Sequence, residues 1–72
     1  MQSWIEIDAR GLEPPMPMVR ILEAVATLPA DTGIVARTDL KPMFLLDELP
    51  RRGFAGESEL DGATYVTRIR PL

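Results

Sequence analysis

The spacing of hydrophobic residues predicts a strand followed by a helix in the first part of the chain. The segment WIEID, from Trp4 to Asp8, alternates between apolar and polar residues. Such alternation is typical of a half-buried strand, with Ile5 and Ile7 on the buried face. A helix of about three to four turns is predicted next, and its apolar stripe is formed by Met18, Ile21, Leu22, Val25 and Leu28.

The second part of the chain predicts a strand, a helix and a hairpin. Residues 34–38 (IVART) are rich in β-branched side chains and follow the breaker segment PADTG, which favours a strand. The next helix is predicted to begin with Pro42 as its first residue and to end near Pro50 and Gly53. We expect its apolar residues to point inward, namely Met43, Phe44, Leu45, Leu46 and Leu49. Asp61-Gly62 lies between two β-like runs and is a strong hairpin signal.

The element order β-α-β-α-β-β predicts the fold class. Two helices with one apolar face each and four short strands are best satisfied by an α/β two-layer sandwich. We expect a mixed four-stranded sheet with both helices on one face, because right-handed βαβ connections place them on the same side. The other face of the sheet is expected to stay open, and residues 1–72 are expected to form a single domain.

Composition limits the chemistry available to the chain. It has no Cys and no His among 72 residues, which excludes a disulfide framework, a thiolate nucleophile and the usual zinc sites. Met16 and Met18 are two residues apart and do not face each other on a helix, so they predict no metal site. We therefore expect no catalytic residue, no metal and no cofactor. A core of this size rarely supplies more than about 3–5 kcal/mol, which leaves self-association as a source of stability.

Charge and hydropathy limit the partners. Eleven acidic and eight basic residues give a net charge of −3, so the excess of basic residues that drives nucleic-acid binding is missing. No apolar run approaches the roughly 20 residues that cross a bilayer, and the N-terminus does not resemble a signal peptide. The sequence predicts a soluble, cytoplasmic protein that binds neither nucleic acid nor membrane.

Three prolines lie at the start of the first helix, in the segment DARGLEPPMPMVR. This segment resembles the signature Asp-x-x-Gly-Leu-x-Cys-Pro-x-Pro of the small sulfur-carrier proteins called TusA-like or SirA-like. The positions that match the signature are Asp8, Gly11, Leu12, Pro15 and Pro17. The resemblance extends to the element order of the whole chain, and residues 45–54 (LLDELPRRGF) are similar to the end of the second helix in one branch of that superfamily.

Pro14 is the decisive departure from the sulfur carriers. The carriers have at this position the Cys that holds the persulfide, so the chain resembles the Cys-less SirA-like branch, an uncharacterised domain family. A helix N-terminus stabilises a thiolate, whereas proline offers no nucleophile and a Met thioether cannot form a persulfide by exchange. The resemblance therefore implies a non-catalytic protein-binding or regulatory module with an unknown protein partner, and no sulfurtransferase activity.

The proline cluster allows two interpretations that can hold together. The favoured one is conformational: Pro15 pre-sets the first helical turn, Pro14 keeps the preceding residue extended, and Gly11 makes the turn. The other is a docking motif, in which the prolines, Leu12 and Met16 present a rigid apolar surface to a partner.

Arg10 supports an alternative function, the binding of a small anion or metabolite at the N-terminus of the first helix. The prolines at positions 15 and 17 remove two of the N–H donors that such a site uses. An exposed Arg10 paired with Asp8 or Glu13 is the favoured interpretation.

The open face of the sheet is a candidate interface. Trp4 shares it with Glu6 and Asp8, and the last strand is expected to add Val66, Arg68 and Arg70. The interpretation as a solvated face of cross-strand ion pairs is slightly favoured. The alternative is a weak homodimer anchored by Trp4 with Val66 beside it, in which Glu6 and Asp8 of one chain face Arg68 and Arg70 of the other.

Overall fold

The computed structural model describes residues 3–72. Its elements in chain order are β1 (Ser3–Asp8), α1 (Met16–Ala26), β2 (Thr32–Thr38), α2 (Met43–Glu48), a 3-10 helix (Leu49–Arg52), β3 (Phe54–Asp61) and β4 (Thr64–Pro71). Among the described residues, no helix is long and apolar enough to cross a membrane.

The four strands form one mixed sheet in the order β1-β2-β4-β3. β1 pairs with β2 in parallel, while β4 pairs antiparallel with both β2 and β3. The predicted α/β fold with four strands and two helices is confirmed. β2 and β4 are the central strands, so β1 and β3 are the edges of the sheet.

One apolar core joins both helices to the same face of the sheet. The sheet contributes Ile7, Ile34, Ala36 and Ile69, and the helical segments contribute Ile21, Val25, Leu45 and Leu49. Because directly paired residues lie on one face, the register that aligns Ile34 with Ile69 places these strand residues together. The predicted layer of helices on one side of the sheet follows from this cluster.

The apolar stripe predicted for α1 is confirmed. Ile21 and Val25 are buried, and Met18, Leu22 and Leu28 pack against the core as partly buried side chains. The helix itself ends at Ala26, so Leu28 reaches the core from the connection that follows. Pro15 is the N-cap residue and Pro17 lies in the first turn, where a missing N–H costs no helical hydrogen bond.

The prediction that every apolar residue of α2 points inward is wrong. Leu45 and Leu49 are buried, but Met43 is 55% exposed and Phe44 is 80% exposed. Successive helical residues are rotated by about 100°, so four consecutive apolar side chains, MFLL, cannot all face one core. Pro42 is the N-cap and not the first helical residue, and the α-helix ends at Glu48.

Two connections lie close to their predicted positions. The hairpin loop consists of Gly62 and Ala63, one residue beyond the Asp61-Gly62 pair, because Asp61 still pairs with Thr64. Gly62 has a φ of 64°, which suits the first central position of a two-residue hairpin turn. β2 begins at Thr32, two residues earlier than predicted, because Thr32 and Gly33 pair with β1.

Candidate functional site

Two loops meet at one end of the sheet. Residues 9–15 follow β1 and residues 39–42 follow β2, and parallel neighbouring strands bring the loops at their carboxyl ends side by side. The Gly11 N–H donates to Asp39 Oδ2 at 2.7 Å and so ties the two loops together. Gly11 has a φ of 78°, which confirms the predicted turn at this glycine.

The two loops and the starts of both helices enclose an apolar groove of about 500 Å³. Its first wall is Leu12, Pro14, Pro15, Pro17 and Met18, and its second wall is residues 38–45. We call this feature the apolar groove. It places the proline cluster opposite the start of α2.

The apolar groove carries several exposed apolar side chains. Leu12 is 39% exposed, Leu40 69%, Met43 55% and Phe44 80%. Contiguous exposed apolar surface of this kind marks binding sites in soluble proteins. The prolines of the first wall have little conformational freedom to lose when a partner binds, which favours recognition.

The structure brings most of the predicted motif residues to the first wall. Pro14 lies one residue before the N-cap and lines the groove, as Leu12, Pro15 and Pro17 also do. Met16 is 49% exposed at the start of α1 and does not belong to the lining. The residues of the second wall were not predicted to form a site, although four consecutive apolar residues at the start of a helix were a usable signal.

Arg10 and Asp8 form a bidentate ion pair outside the apolar groove. The Arg10 guanidinium donates to the two carboxylate oxygens of Asp8 at 2.9 Å and 2.8 Å, and the Arg10 backbone N–H adds a bond of 3.1 Å. The side-chain hydrogen bond from Arg10, followed by the backbone bond, holds the pKa of Asp8 well below its usual range. Asp8 in turn raises the pKa of Arg10. Of the two expected partners of Arg10, Asp8 and Glu13, the structure shows Asp8.

Few backbone N–H groups remain for an anion at the start of α1. Pro15 and Pro17 have no N–H, and the Met16 N–H donates to the Glu13 carbonyl oxygen at 2.8 Å. The Gly11 N–H is bound to the carboxylate of Asp39, which also brings negative charge to this place. These contacts do not favour an anion site.

The charged residues of the open sheet face are paired within the chain. Arg37 bonds Glu6 at 2.8 Å across β1 and β2. On the same face, between β3 and β4, Arg68 pairs with Glu59, and Arg70 lies 3.7 Å from Glu57. Cross-strand ion pairs are present on this face, but their partners differ from the predicted ones. Glu6 pairs with β2 and Asp8 with Arg10, while the basic residues of β4 pair with acidic residues of β3.

The predicted neighbourhood of Trp4 and Val66 is wrong. Trp4 pairs with Gly33, near the start of β2, whereas Val66 pairs with Arg37, near the end of β2. β2 also lies between the strands that carry Trp4 and Val66. Val66 is also only 8% exposed, so it offers little surface to a partner.

A family model described as "Uncharacterized conserved protein (DUF2249)" matches residues 6–71. No curated protein and no solved structure matches the chain. Within residues 3–72, no group of three or more acidic side chains is placed to hold a metal ion.

Proposed function

The chain belongs to the family of uncharacterized conserved proteins DUF2249, and from that premise we propose that it is a non-catalytic module that binds another protein through the apolar groove. The observation that carries the proposal is the groove itself. A 72-residue domain leaves Leu40, Met43 and Phe44 largely exposed beside three prolines. Large exposed apolar patches on soluble proteins mark interaction sites or promote aggregation.

The resemblance to the Cys-less SirA-like branch supports a non-catalytic role. Pro14 stands where the sulfur carriers have their Cys, and it lines the apolar groove. The position that carries a persulfide in those proteins is therefore an apolar contact surface here. We propose that the interaction surface is retained while the reactive group is replaced.

The alternative function, anion or metabolite binding, has less support from the contacts. Its proposed cation, Arg10, is held by both oxygens of Asp8. The prolines at the start of α1 remove N–H donors, and Asp39 occupies the Gly11 N–H. An anion would have to displace a carboxylate from at least one of these groups.

The proposal is tested by quantitative affinity purification with mass spectrometry from cells that produce the protein. Phe44→Glu places a charge on the apolar groove, and Leu72→Glu places the same charge at the opposite end of the sheet. Both side chains are 80% exposed, so the two variants are matched in exposure. We expect proteins that the wild type and Leu72→Glu capture equally and that Phe44→Glu loses.

The same set of proteins with all three baits would overturn the use of this groove. Calorimetric titration with inorganic phosphate and sulfate tests the alternative function. Saturable binding that Arg10→Gln abolishes would favour the anion site over protein binding.

A further inference from the structure

We propose that the apolar groove also binds a small amphipathic molecule, an organic carboxylate whose apolar body lies in the groove and whose charged group pairs with Lys41. The proposal goes beyond the proposed function, because its ligand is a free small molecule and not a protein. It also differs from anion binding at Arg10, since Arg10 does not line the groove.

The size of the apolar groove suits a small molecule. Its volume is about 500 Å³, and pockets that bury small ligands measure about 300–1,000 Å³. The backbone of Pro14, Pro15 and Pro17 on the first wall is stiff, because each proline ring fixes its own φ. A wall that is already formed lowers the cost of ordering the site when a ligand binds.

The lining favours a ligand that is mostly apolar. All of the residues that line the groove are apolar except Thr38, Asp39 and Lys41. Two apolar side chains of the lining, Leu40 and Phe44, are 69% and 80% exposed. An apolar body that lies against such side chains removes apolar surface from water on both sides of the contact, which is favourable.

Two of the polar lining residues are hydrogen-bonded within the chain. The Thr38 hydroxyl donates to the Leu40 carbonyl oxygen at 2.7 Å, and Asp39 Oδ2 accepts from the Gly11 N–H at 2.7 Å. Lys41 is exposed, and among residues 3–72 it belongs to no ion pair. Its ammonium group is therefore the charge in the lining that a ligand can pair with.

A lone lysine favours a singly charged anionic group. The ammonium of Lys41 is a compact point charge, which matches a carboxylate, whereas a phosphate group carries more charge than one lysine neutralises. A cationic ligand would be repelled by Lys41 and would have to pair with Asp39, which the Gly11 N–H already stabilises. The ligand class is therefore an apolar carboxylate.

The test is an NMR titration of the isotope-labelled protein with three probes that share one tail and differ in charge: octanoate, octanol and octylamine. Each is kept below the concentration at which it aggregates. We expect octanoate to bind most tightly and octylamine most weakly. The amide signals of Leu12, Met18 and Leu40 should shift, while that of Leu72, at the opposite end of the sheet, should not.

Variants of Lys41 test the pairing of charges. Lys41→Gln should raise the dissociation constant for octanoate about threefold, as expected for an exposed ion pair, and leave that for octanol unchanged. Lys41→Glu should make octylamine bind more tightly than octanoate. Arg20→Gln is the matched control, because it also removes one exposed positive charge but lies outside the lining. It should bind octanoate like the wild type.

Three results would overturn the proposal: no binding of any probe, signal shifts that lie away from the groove, or octanoate binding that Lys41→Gln weakens no more than Arg20→Gln does. Octanol binding as tightly as octanoate would overturn the carboxylate as the preferred ligand. The capture of proteins is measured separately with Phe44→Glu, so the small ligand and the proposed function can fail independently.

Discussion

Gly33 is the residue at which the packing of the open sheet face is most tightly constrained. A Cβ atom at this position would lie 2.6 Å from Trp4 Cζ3 and 2.8 Å from the Ile69 carbonyl oxygen. Real Cβ atoms essentially never approach other atoms so closely, so an alanine here requires a shift of the ring and of the backbone. The absence of a side chain at Gly33 therefore lets the Trp4 ring pack closely against β2.

We predict that Gly33→Ala lowers the free energy of unfolding by about 1–3 kcal/mol, as overpacking does elsewhere. Urea denaturation of the wild type, Gly33→Ala, Trp4→Ser and the double variant measures the effect as a cycle. Removing the Trp4 ring should recover part of the loss, while the contact with the Ile69 carbonyl keeps the rest. Equal stability of Gly33→Ala and the wild type would contradict the close approach.

At the scale of elements, the start of α1 determines what position 14 can do. Pro14 is exposed, lines the apolar groove and precedes the N-cap residue Pro15. α1 is 11 residues long, so its N-terminal dipole acts on a side chain placed here. The wild-type proline has no ionisable group whose pKa that dipole could lower.

We predict that Pro14→Cys folds and that its thiol titrates below the value of about 8.5 for a free Cys, because the helix N-terminus stabilises the thiolate. The rate of reaction with a thiol reagent as a function of pH measures this pKa. Leu72→Cys, which lies far from any helix start, is the control, and its thiol should not titrate below the value of a free Cys. Intact-mass analysis after treatment with a persulfide donor should show added sulfur on Pro14→Cys and none on the wild type. A normal pKa for Cys at position 14 would show that the geometry does not activate a thiol.

At the scale of the whole molecule, ion pairs lie on the sheet face, at the end of β1 and along α2. Asp8 is the carboxylate among them whose pKa is shifted in the fold, so its pair with Arg10 makes the stability of the fold depend on pH.

The lowered pKa of Asp8 determines in which direction stability changes with pH. Its pKa is lower in the folded chain than the value of about 3.9 for an unfolded Asp, so its pairing stabilises the fold above pH 4. That stabilisation is lost as the pH falls through the lowered pKa. We predict that Arg10→Gln is less stable than the wild type at neutral pH and that the difference narrows in acid. The difference is small because both side chains are exposed.

Urea denaturation at a series of pH values measures this difference. Arg20→Gln is a matched control, because Arg20 is exposed and belongs to no ion pair among residues 3–72. Its stability should run parallel to that of the wild type across the pH range. A gap between Arg10→Gln and the wild type that widens in acid would contradict the lowered pKa of Asp8.

The sequence by itself determined the order of the elements, the fold class and the buried face of α1. These depend on local spacing, since a period of two or of 3.6 residues sets which side chains share a face. It also determined that residue 14 carries no thiol, because covalent chemistry does not depend on folding. That Arg10 pairs with a nearby carboxylate was predictable as well, although the sequence left Asp8 and Glu13 open and the structure decided for Asp8.

Only the tertiary structure decided where the apolar groove lies and which residues are neighbours across the sheet. The second wall lies beside the first because β1 and β2 pair in parallel, and the hydrogen bond from Gly11 to Asp39 joins residues 28 positions apart. The exposure of Phe44 depended on how far α2 turns before it reaches the core, and the local pattern does not specify that angle. The separation of Trp4 from Val66 followed from the strand order β1-β2-β4-β3, which inserts β2 between them. Strand order is a property of long-range pairing, and periodicity within a segment carries no information about its neighbours.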